Sequence, residues 1–322
     1  MNEKLIAEVE KLSQTLEAYE FGKHPSELYE PIRYILNIGG KRIRPLLTLL
    51  AYSLYKDDTS KAVLPSLSVE VFHNFTLMHD DIMDNAPLRR GQTTVHEKWN
   101  PNLAILSGDV MLVKAYEMLA SVEDQYLRSS LFLFNKVATE VCEGQQLDMN
   151  FEKRDNVSIE EYIEMIRLKT AVLLGFSLKL GGLLAGASEQ DQERLRLIGE
   201  SIGIGFQLKD DLLDVYGDQA KFGKQVGGDI LANKKTFLLL TALANASKIQ
   251  SDDIYSLLKG ADPQKVEKMT SLYDNLNVRN ITEAKIFTYF RGGFDLLNQL
   301  EVSESKKYQL EEFFTWLTNR DN

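Results

Sequence analysis

Between Pro101 and Pro263 the chain carries no proline, while apolar residues recur at helical spacing along the whole stretch. Proline fixes φ and removes a backbone donor, so its absence lets helices run long, and the 3.6-residue period says that they do. Runs that alternate apolar and polar residues, the mark of half-buried strands, are nearly missing. The reading is an all-α protein of long helices and short loops, in one domain over residues 1–322. Residues 3–20 make an amphipathic first helix and residues 27–38 a second. The second ends at Gly39-Gly40, because glycine accepts the left-handed conformation that closes a helix. Residues 102–118 read as a buried helix in which Gly108 permits close packing, whereas Gly181-Gly182 and the polar run 188–193 read as a loop. Residues 245–285 read as peripheral helices and residues 306–322 as a terminal one.

Charge narrows the partners. The 47 acidic residues outweigh 37 basic ones, for a net charge of −10, which argues against a nucleic-acid partner, since that calls for a positive surface. The single cysteine, Cys142, excludes an internal disulfide, reads as a small buried hydrophobe, and suits a reducing cytoplasm. The N-terminal MNEKLIAEVEKLSQ is acidic and amphipathic, unlike a signal or transit peptide. Lys179 interrupts the best apolar candidate, Ala171 to Ala187, so no membrane span is expected.

Two acidic clusters carry the functional argument. In LMHDDIMD, Asp80 and Asp84 lie one helical turn apart, within ~40° of each other, and Asp81 sits about 100° round the axis. Leu77, Met78, Ile82 and Met83 surround them, which predicts a helix buried on most sides. Carboxylates one turn apart repel unless something positive neutralises them, and a hard divalent cation suits oxygen donors and substrate phosphates. One such cluster is more often a solvated face. Recurrence changes that: QLKDDLLD repeats the spacing at Asp210, Asp211 and Asp214, again among apolar residues (Phe206, Leu208, Leu212, Leu213). Two clusters on separate helices can face each other across a cavity and share metal ions.

Positive charge accompanies them. GGKRIRP, residues 39–45, crowds Lys41, Arg42 and Arg44 onto a glycine turn before a helix that opens near Pro45, a setting that favours a polyanion. His73 lies seven residues before Asp80, so it shares a face with it. Phe75, five residues before Asp80, is either plain core or the floor of a cavity. After the turn at Pro87, Arg89 and Arg90 supply guanidiniums whose forked geometry matches phosphate oxygens. Glu143, Gln146 and Asp148, late in an apolar helix, read either as supports behind the cavity or as ordinary polar-face residues, the latter by a slight preference. Ser158 with Glu161 makes a capping box for the next helix. That helix carries Lys169-Thr170 among Leu168, Ala171, Val172 and Leu173, where an unpaired ammonium is costly and calls for an anion. The glycine-rich run 216–236, with Lys221, Lys224, Lys234 and Lys235, reads as a flexible basic lid over phosphates.

These motifs, occurring together and in order from about Gly39 to Thr236, resemble those of the trans-isoprenyl diphosphate synthases, the polyprenyl synthetase family. The matching features are both aspartate motifs, GGKRIRP, the LRRG turn with TTVH after it, Lys169-Thr170, and the loop ending KKT. The resemblance implies the all-α isoprenoid-synthase fold, a bundle of long antiparallel helices around a deep central cavity, and a homodimer using Mg²⁺, three ions with substrate bound. It implies head-to-tail condensation of isopentenyl diphosphate with an allylic diphosphate (dimethylallyl, geranyl or farnesyl) by ionisation, condensation and elimination. Carried over residue by residue, Asp80, Asp84 and Asp210 are metal ligands, supported by Asp81, Asp211 and Asp214. Lys41, Arg44, His73 and Arg90 hold isopentenyl diphosphate, and Arg89, Lys169, Lys224 and Lys234 the allylic diphosphate. Thr170 and Gln207 line the reacting centre. In this family a bulky residue at the position of Phe75 stops the product short. With Thr76 beside it and Phe72 a turn below, a fifteen- to twenty-carbon product is expected. The alternatives are a longer-chain polyprenyl synthase and a non-catalytic partner subunit; the latter would be expected to have lost aspartates that are all present here. A terpene cyclase needs no GGKRIRP, and a head-to-head synthase carries DxxxD pairs.

Overall fold

Helix ends follow the local chemistry of the chain. In the computed structural model, which describes residues 2–217 and 227–318, Asn2 caps α1 (Glu3–Ala18) by accepting from the Leu5 N–H at 2.8 Å. α2 (Ser26–Asn37) is followed by Gly39 at φ 89°. α3 (Ile43–Ser53) starts two residues before Pro45, and α4 (Ser60–Met83) carries the first acidic cluster at its C-terminus, with Asp84 as the cap. A small antiparallel ribbon follows, β1 (Leu88–Arg89) with β2 (Gln92–Thr93). Its two loop residues, Arg90 at φ 52° and Gly91 at φ 75°, form the left-handed turn that matches strand twist. Strands two residues long leave no alternation to read, so sequence patterning passes over them.

Helices resume with α5 (Val95–Lys98), α6 (Pro101–Leu119) and α7 (Asp124–Glu152). α8 (Ile159–Ile166) opens on the expected Ser158–Glu161 capping box. It runs through a single π turn, Arg167–Ala171, into α9 (Val172–Ala185). The second acidic cluster lies on α10 (Glu189–Tyr216). Then come α11 (Gly228–Leu231), α12 (Phe237–Asn245), α13 (Lys248–Lys259), α14 (Lys265–Asn275), α15 (Val278–Asn298) and α16 (Glu304–Thr318).

The chain divides into two compact units, one of Met1–Lys136, Phe176–Arg196 and Leu300–Phe313, the other of Val137–Gly175, Leu197–Gln299 and Phe314–Asn322. In the first, α4 packs against α3 and α6, and Leu67, Val69, Val71 and Phe72 are all buried. α6 buries only one face; Ile105, Leu106 and Val113 are exposed on the other. Gly181 lies inside α9 and not in a loop, because a Cβ there would sit 2.2 Å from the Thr48 carbonyl oxygen. The polar run is helical from Glu189 on: Ser188, just before the helix, accepts through Oγ from the Asp191 N–H at 3.1 Å, and the buried Asp191 takes the Tyr55 hydroxyl and Arg194. Its polar residues have protein partners, which a sequence cannot distinguish from exposure to water.

In the second unit, α12 packs on α8 and α15. Gly144 of α7 admits the backbone of the π turn, since a Cβ there would lie 2.3 Å from the Lys169 nitrogen. Cys142, expected inside, is exposed. The continuous helix Ile159–Ala185 is long and apolar enough to cross a membrane by composition, despite Lys179, but 83% of its most apolar window is buried within the protein.

Candidate active site

The end of α4 sets three carboxylates in three surroundings. Asp81 is 1% exposed and receives Arg89, whose Nε lies 2.8 Å from each carboxylate oxygen and whose Nη2 lies 2.6 Å from Oδ1. Asp80 is half-buried and Asp84 exposed. This end is more open than the flanking apolar residues predict: Met78 is buried, Leu77 and Ile82 are half-buried, and Met83 is exposed. The helix stops there, because Asn85 takes φ 48° and the chain leaves for the hairpin.

The basic turn of the same unit divides its labour. Arg42, at φ 48°, turns inward to donate to Glu70 Oε1 at 2.7 Å and to the Leu36 carbonyl at 2.8 Å, so the fold itself uses it. Lys41 is exposed. Arg44 keeps a buried Nε with no hydrogen-bond partner, and burial pulls its pKa down to about 10. A buried guanidinium N–H without an acceptor is costly and fits an incoming anion. Burial and then the charges of Arg44, Arg90, Arg89 and Arg42 hold His73 well below the ordinary imidazole value, so it is neutral at physiological pH. Gly40 touches the hairpin: a Cβ there would lie 2.9 Å from Arg90 Nη1. The cationic residues Arg44, Arg89 and Arg90 thus share one field around His73.

Below Asp80 the α4 face is aromatic. The half-buried Phe75 ring lies 4.7 Å from His79 and 5.6 Å from Phe72, and Phe72 is buried against Phe134 at 5.1 Å. Thr76 turns its hydroxyl back to the His73 carbonyl at 2.8 Å.

In the second unit a cavity of about 420 Å³ gathers Lys169, Thr170, Gln207, Asp210, Asp211, Asp214, Lys234 and Lys235. The anion that Lys169 requires is Asp148, at 2.5 Å, so Asp148 belongs to this wall and is not an ordinary polar-face residue. Glu143 and Gln146 are exposed as read. A π turn is a frequent device at functional sites because its extra residue re-aims side chains, and here it carries both Lys169 and Thr170. Asp214 holds the start of α11: its Oδ2 accepts from the Asp229 N–H at 2.9 Å and its carbonyl from the Gly227 N–H at 2.6 Å. Lys234 lies 3.6 Å from Asp229. Lys221 and Lys224 fall outside the described residues.

Asp211 is buried, and burial and then the Asp229 charge push its pKa up to about 7. The Tyr162 hydroxyl donates to its Oδ2 and Gln207 Nε2 to its Oδ1 at 3.1 Å. Gln207 Oε1 accepts from Thr170 Oγ1 at 3.3 Å. Sequence reading misses Tyr162 and Asp229, and leans the wrong way on Asp148. Tyr162 had the same seven-residue signal towards Lys169 that linked His73 to Asp80. Asp148 follows Gly144 by one turn, and Asp229 closes a Gly-Gly-Asp inside the basic loop.

Among the described residues no three His, Cys, Asp or Glu side chains converge closely enough to hold an ion alone. Mg²⁺ takes one or two carboxylates and completes its shell with water and substrate phosphates. Oxygen donors such as Asp210 and Asp229 on one cavity wall therefore fit a hard cation that arrives with its substrate.

Comparison with known proteins agrees with this chemistry. The polyprenyl synthetase family model matches residues 25–276. A short chain isoprenyl diphosphate synthase of Methanocaldococcus jannaschii is 38% identical over 273 residues, 84% of this chain and 78% of that protein. A geranylgeranyl diphosphate synthase of Methanosarcina mazei is 42% identical over 227 residues, 70% of each. The crystal structure of geranylgeranyl pyrophosphate synthetase from Pyrococcus horikoshii superimposes with a TM-score of 0.92 over 99% of both chains at 33% identity, so the all-α fold is that of these synthases.

Proposed function

This chain belongs to the polyprenyl synthetase family, and from that premise we propose that it is a trans-prenyltransferase joining isopentenyl diphosphate head-to-tail to an allylic diphosphate. The observation that carries the reading is the cavity of the second unit, where Asp210, Lys169 and Lys234 stand beside two aligned oxygen dipoles, Thr170 and Gln207. The product is a trans-prenyl diphosphate of fifteen to twenty carbons, and the geranylgeranyl names of the relatives favour the longer end.

Asp80, Asp84 and Asp210 would hold divalent cations, Mg²⁺ and three in number with substrate bound; Asp81 and Asp214 would support them, whereas Asp211 faces Tyr162 and Gln207. Bound metal supplies Lewis acidity to the departing diphosphate. Arg89, Lys169, Lys224 and Lys234 bind the allylic diphosphate and draw off charge as its C–O bond breaks. Lys41, Arg44, Arg90 and the neutral His73 bind isopentenyl diphosphate, whose double bond attacks the allylic cation. Thr170 and Gln207 steady that cation, and the proton lost at the end goes to the released diphosphate. Phe75 stops the growing chain, backed by Phe72, with Thr76 beside it. Residues 1–322 act as a single catalytic domain in a cytoplasmic homodimer, and the exposed apolar residues of α6 support self-association.

The test is product analysis. Purified protein with Mg²⁺, isopentenyl diphosphate and each allylic primer in turn should yield a prenyl diphosphate of fifteen to twenty carbons. Folded protein that elongates no primer would return the chain to a partner-subunit role.

A further inference from the structure

We propose that Tyr162 and Asp211 are positioning residues for the reaction, fixing which way the Gln207 amide points and so holding its carbonyl oxygen beside the Thr170 hydroxyl. This inference rests on the reading of the cavity as the prenyl-transfer site. Asp211 in its ionised form only accepts hydrogen bonds, so Gln207 must offer it the amide NH₂. Ordinarily the two ends of a glutamine amide are hard to tell apart; here the carboxylate decides the matter. With Nε2 held 3.1 Å from Asp211 Oδ1, Oε1 is left for Thr170 Oγ1 at 3.3 Å.

Both oxygens of Asp211 are engaged, the second by the Tyr162 hydroxyl. Tyr162 itself is 3% exposed and locked into α8, so it keeps the carboxylate from rotating. The series Tyr162, Asp211, Gln207, Thr170 ends at the π turn, on the cavity wall. Oriented dipoles that need no rearrangement as charge develops are worth most in a partly desolvated site. Asp211 therefore serves the reaction through Gln207, although its neighbour Asp210 serves it through metal.

The decisive variant is Asp211→Asn. Its amide keeps one acceptor where the carboxylate had two, so Tyr162 and Gln207 compete for it and the Gln207 amide is no longer fixed with its oxygen towards Thr170. We expect kcat to fall roughly a hundredfold, with KM for both diphosphates within about twofold. The Mg²⁺ concentration for half-maximal rate should stay at the wild-type value. Gln207→Leu should lose a similar factor, and the double variant no more than the worse single, since the residues act as one unit. Tyr162→Phe, nearly isosteric and the fallback if Asp211→Asn does not fold, should lose roughly tenfold in kcat, again without a Mg²⁺ effect. A Mg²⁺ requirement raised tenfold or more, as expected if Asp211 were a metal ligand, overturns the proposal. So do unchanged kcat in Tyr162→Phe or additive losses in the double variant. Wild-type protein that makes no prenyl diphosphate would instead bring down the reading of the site, and this inference with it.

Discussion

Two helices carry the same spacing of three aspartates, and they accommodate the middle one in opposite ways. At the end of α4, Asp81 is buried against a cation, Arg89, at 2.6 Å. In α10, Asp211 is buried against neutral donors, the Tyr162 hydroxyl and the Gln207 amide. Helix geometry explains the shared part: the second residue of DDxxD sits about 100° from the first and about 60° from the fifth, to one side of both, so it can point into the protein while they face outward. What it meets there differs, and so does the use it is put to. Asp81 steadies the Arg89 guanidinium; Asp211 steadies an uncharged amide. The contrast extends upstream. Five residues before the first aspartate stands Phe75 in one helix, and in the other Gly205, where a Cβ would lie 2.6 Å from the Phe290 ring.

The largest effect expected lies in the outward aspartates, where the two helices should behave alike. Asp80→Ala and Asp210→Ala should each lower turnover by roughly a thousandfold or more while circular dichroism stays native, because both are half-buried, outside the core, and on the proposed function hold metal. Near wild-type turnover in either would remove that helix from the metal site. The middle aspartates should then diverge in stability. Arg89→Met strands a buried carboxylate and should cost about 3 kcal/mol in urea unfolding, whereas Tyr162→Phe removes one neutral hydrogen bond and should cost about 1 kcal/mol. Equal losses would mean that cation and neutral donors are interchangeable here.

Protons sharpen the same contrast. Asp211 is held near 7 in the native protein against 3.8 ordinarily, so between those values the native state binds the proton and the unfolded state does not. Its stabilising contribution is complete below 3.8 and is lost as pH rises through about 7. In chelator, the urea midpoint of the wild type should therefore fall, relative to Asp211→Asn, as pH is raised across that window. A flat difference would contradict it. Smallest in energy is Phe75→Ala, which should leave stability and rate nearly intact and lengthen the product. The buried Phe72, backed by Phe134, should limit the extension. An unchanged product distribution would make Phe75 ordinary core.

Fold and site were legible wherever the signal is local. The capping box at Ser158, the glycine stop after α2, and both aspartate motifs depend on neighbours within a turn or two, and the structure has them where the chain predicts. Misreadings share one cause. The chain alone reads Gly181 as loop and Cys142 as core, yet glycine in a helix and a small apolar residue on its surface are decided by what the neighbouring helix presents. Arg42 and Arg44 are two residues apart and chemically alike. Each keeps a buried Nε without a partner, but only Arg42 has its terminal nitrogens taken by Glu70 and the Leu36 carbonyl, because Glu70 lies far away in sequence and its ion pair reaches only one of them.

By itself, then, the sequence determined the all-α class, the two carboxylate clusters and the kind of ligand they suit, since helical period and charge are written residue by residue. Tertiary structure alone decided that Asp148 answers Lys169, that a π turn re-aims Thr170, and that Tyr162 and Asp211 orient Gln207. Each of those is a meeting of groups on different helices, and only packing brings such groups within hydrogen-bond reach.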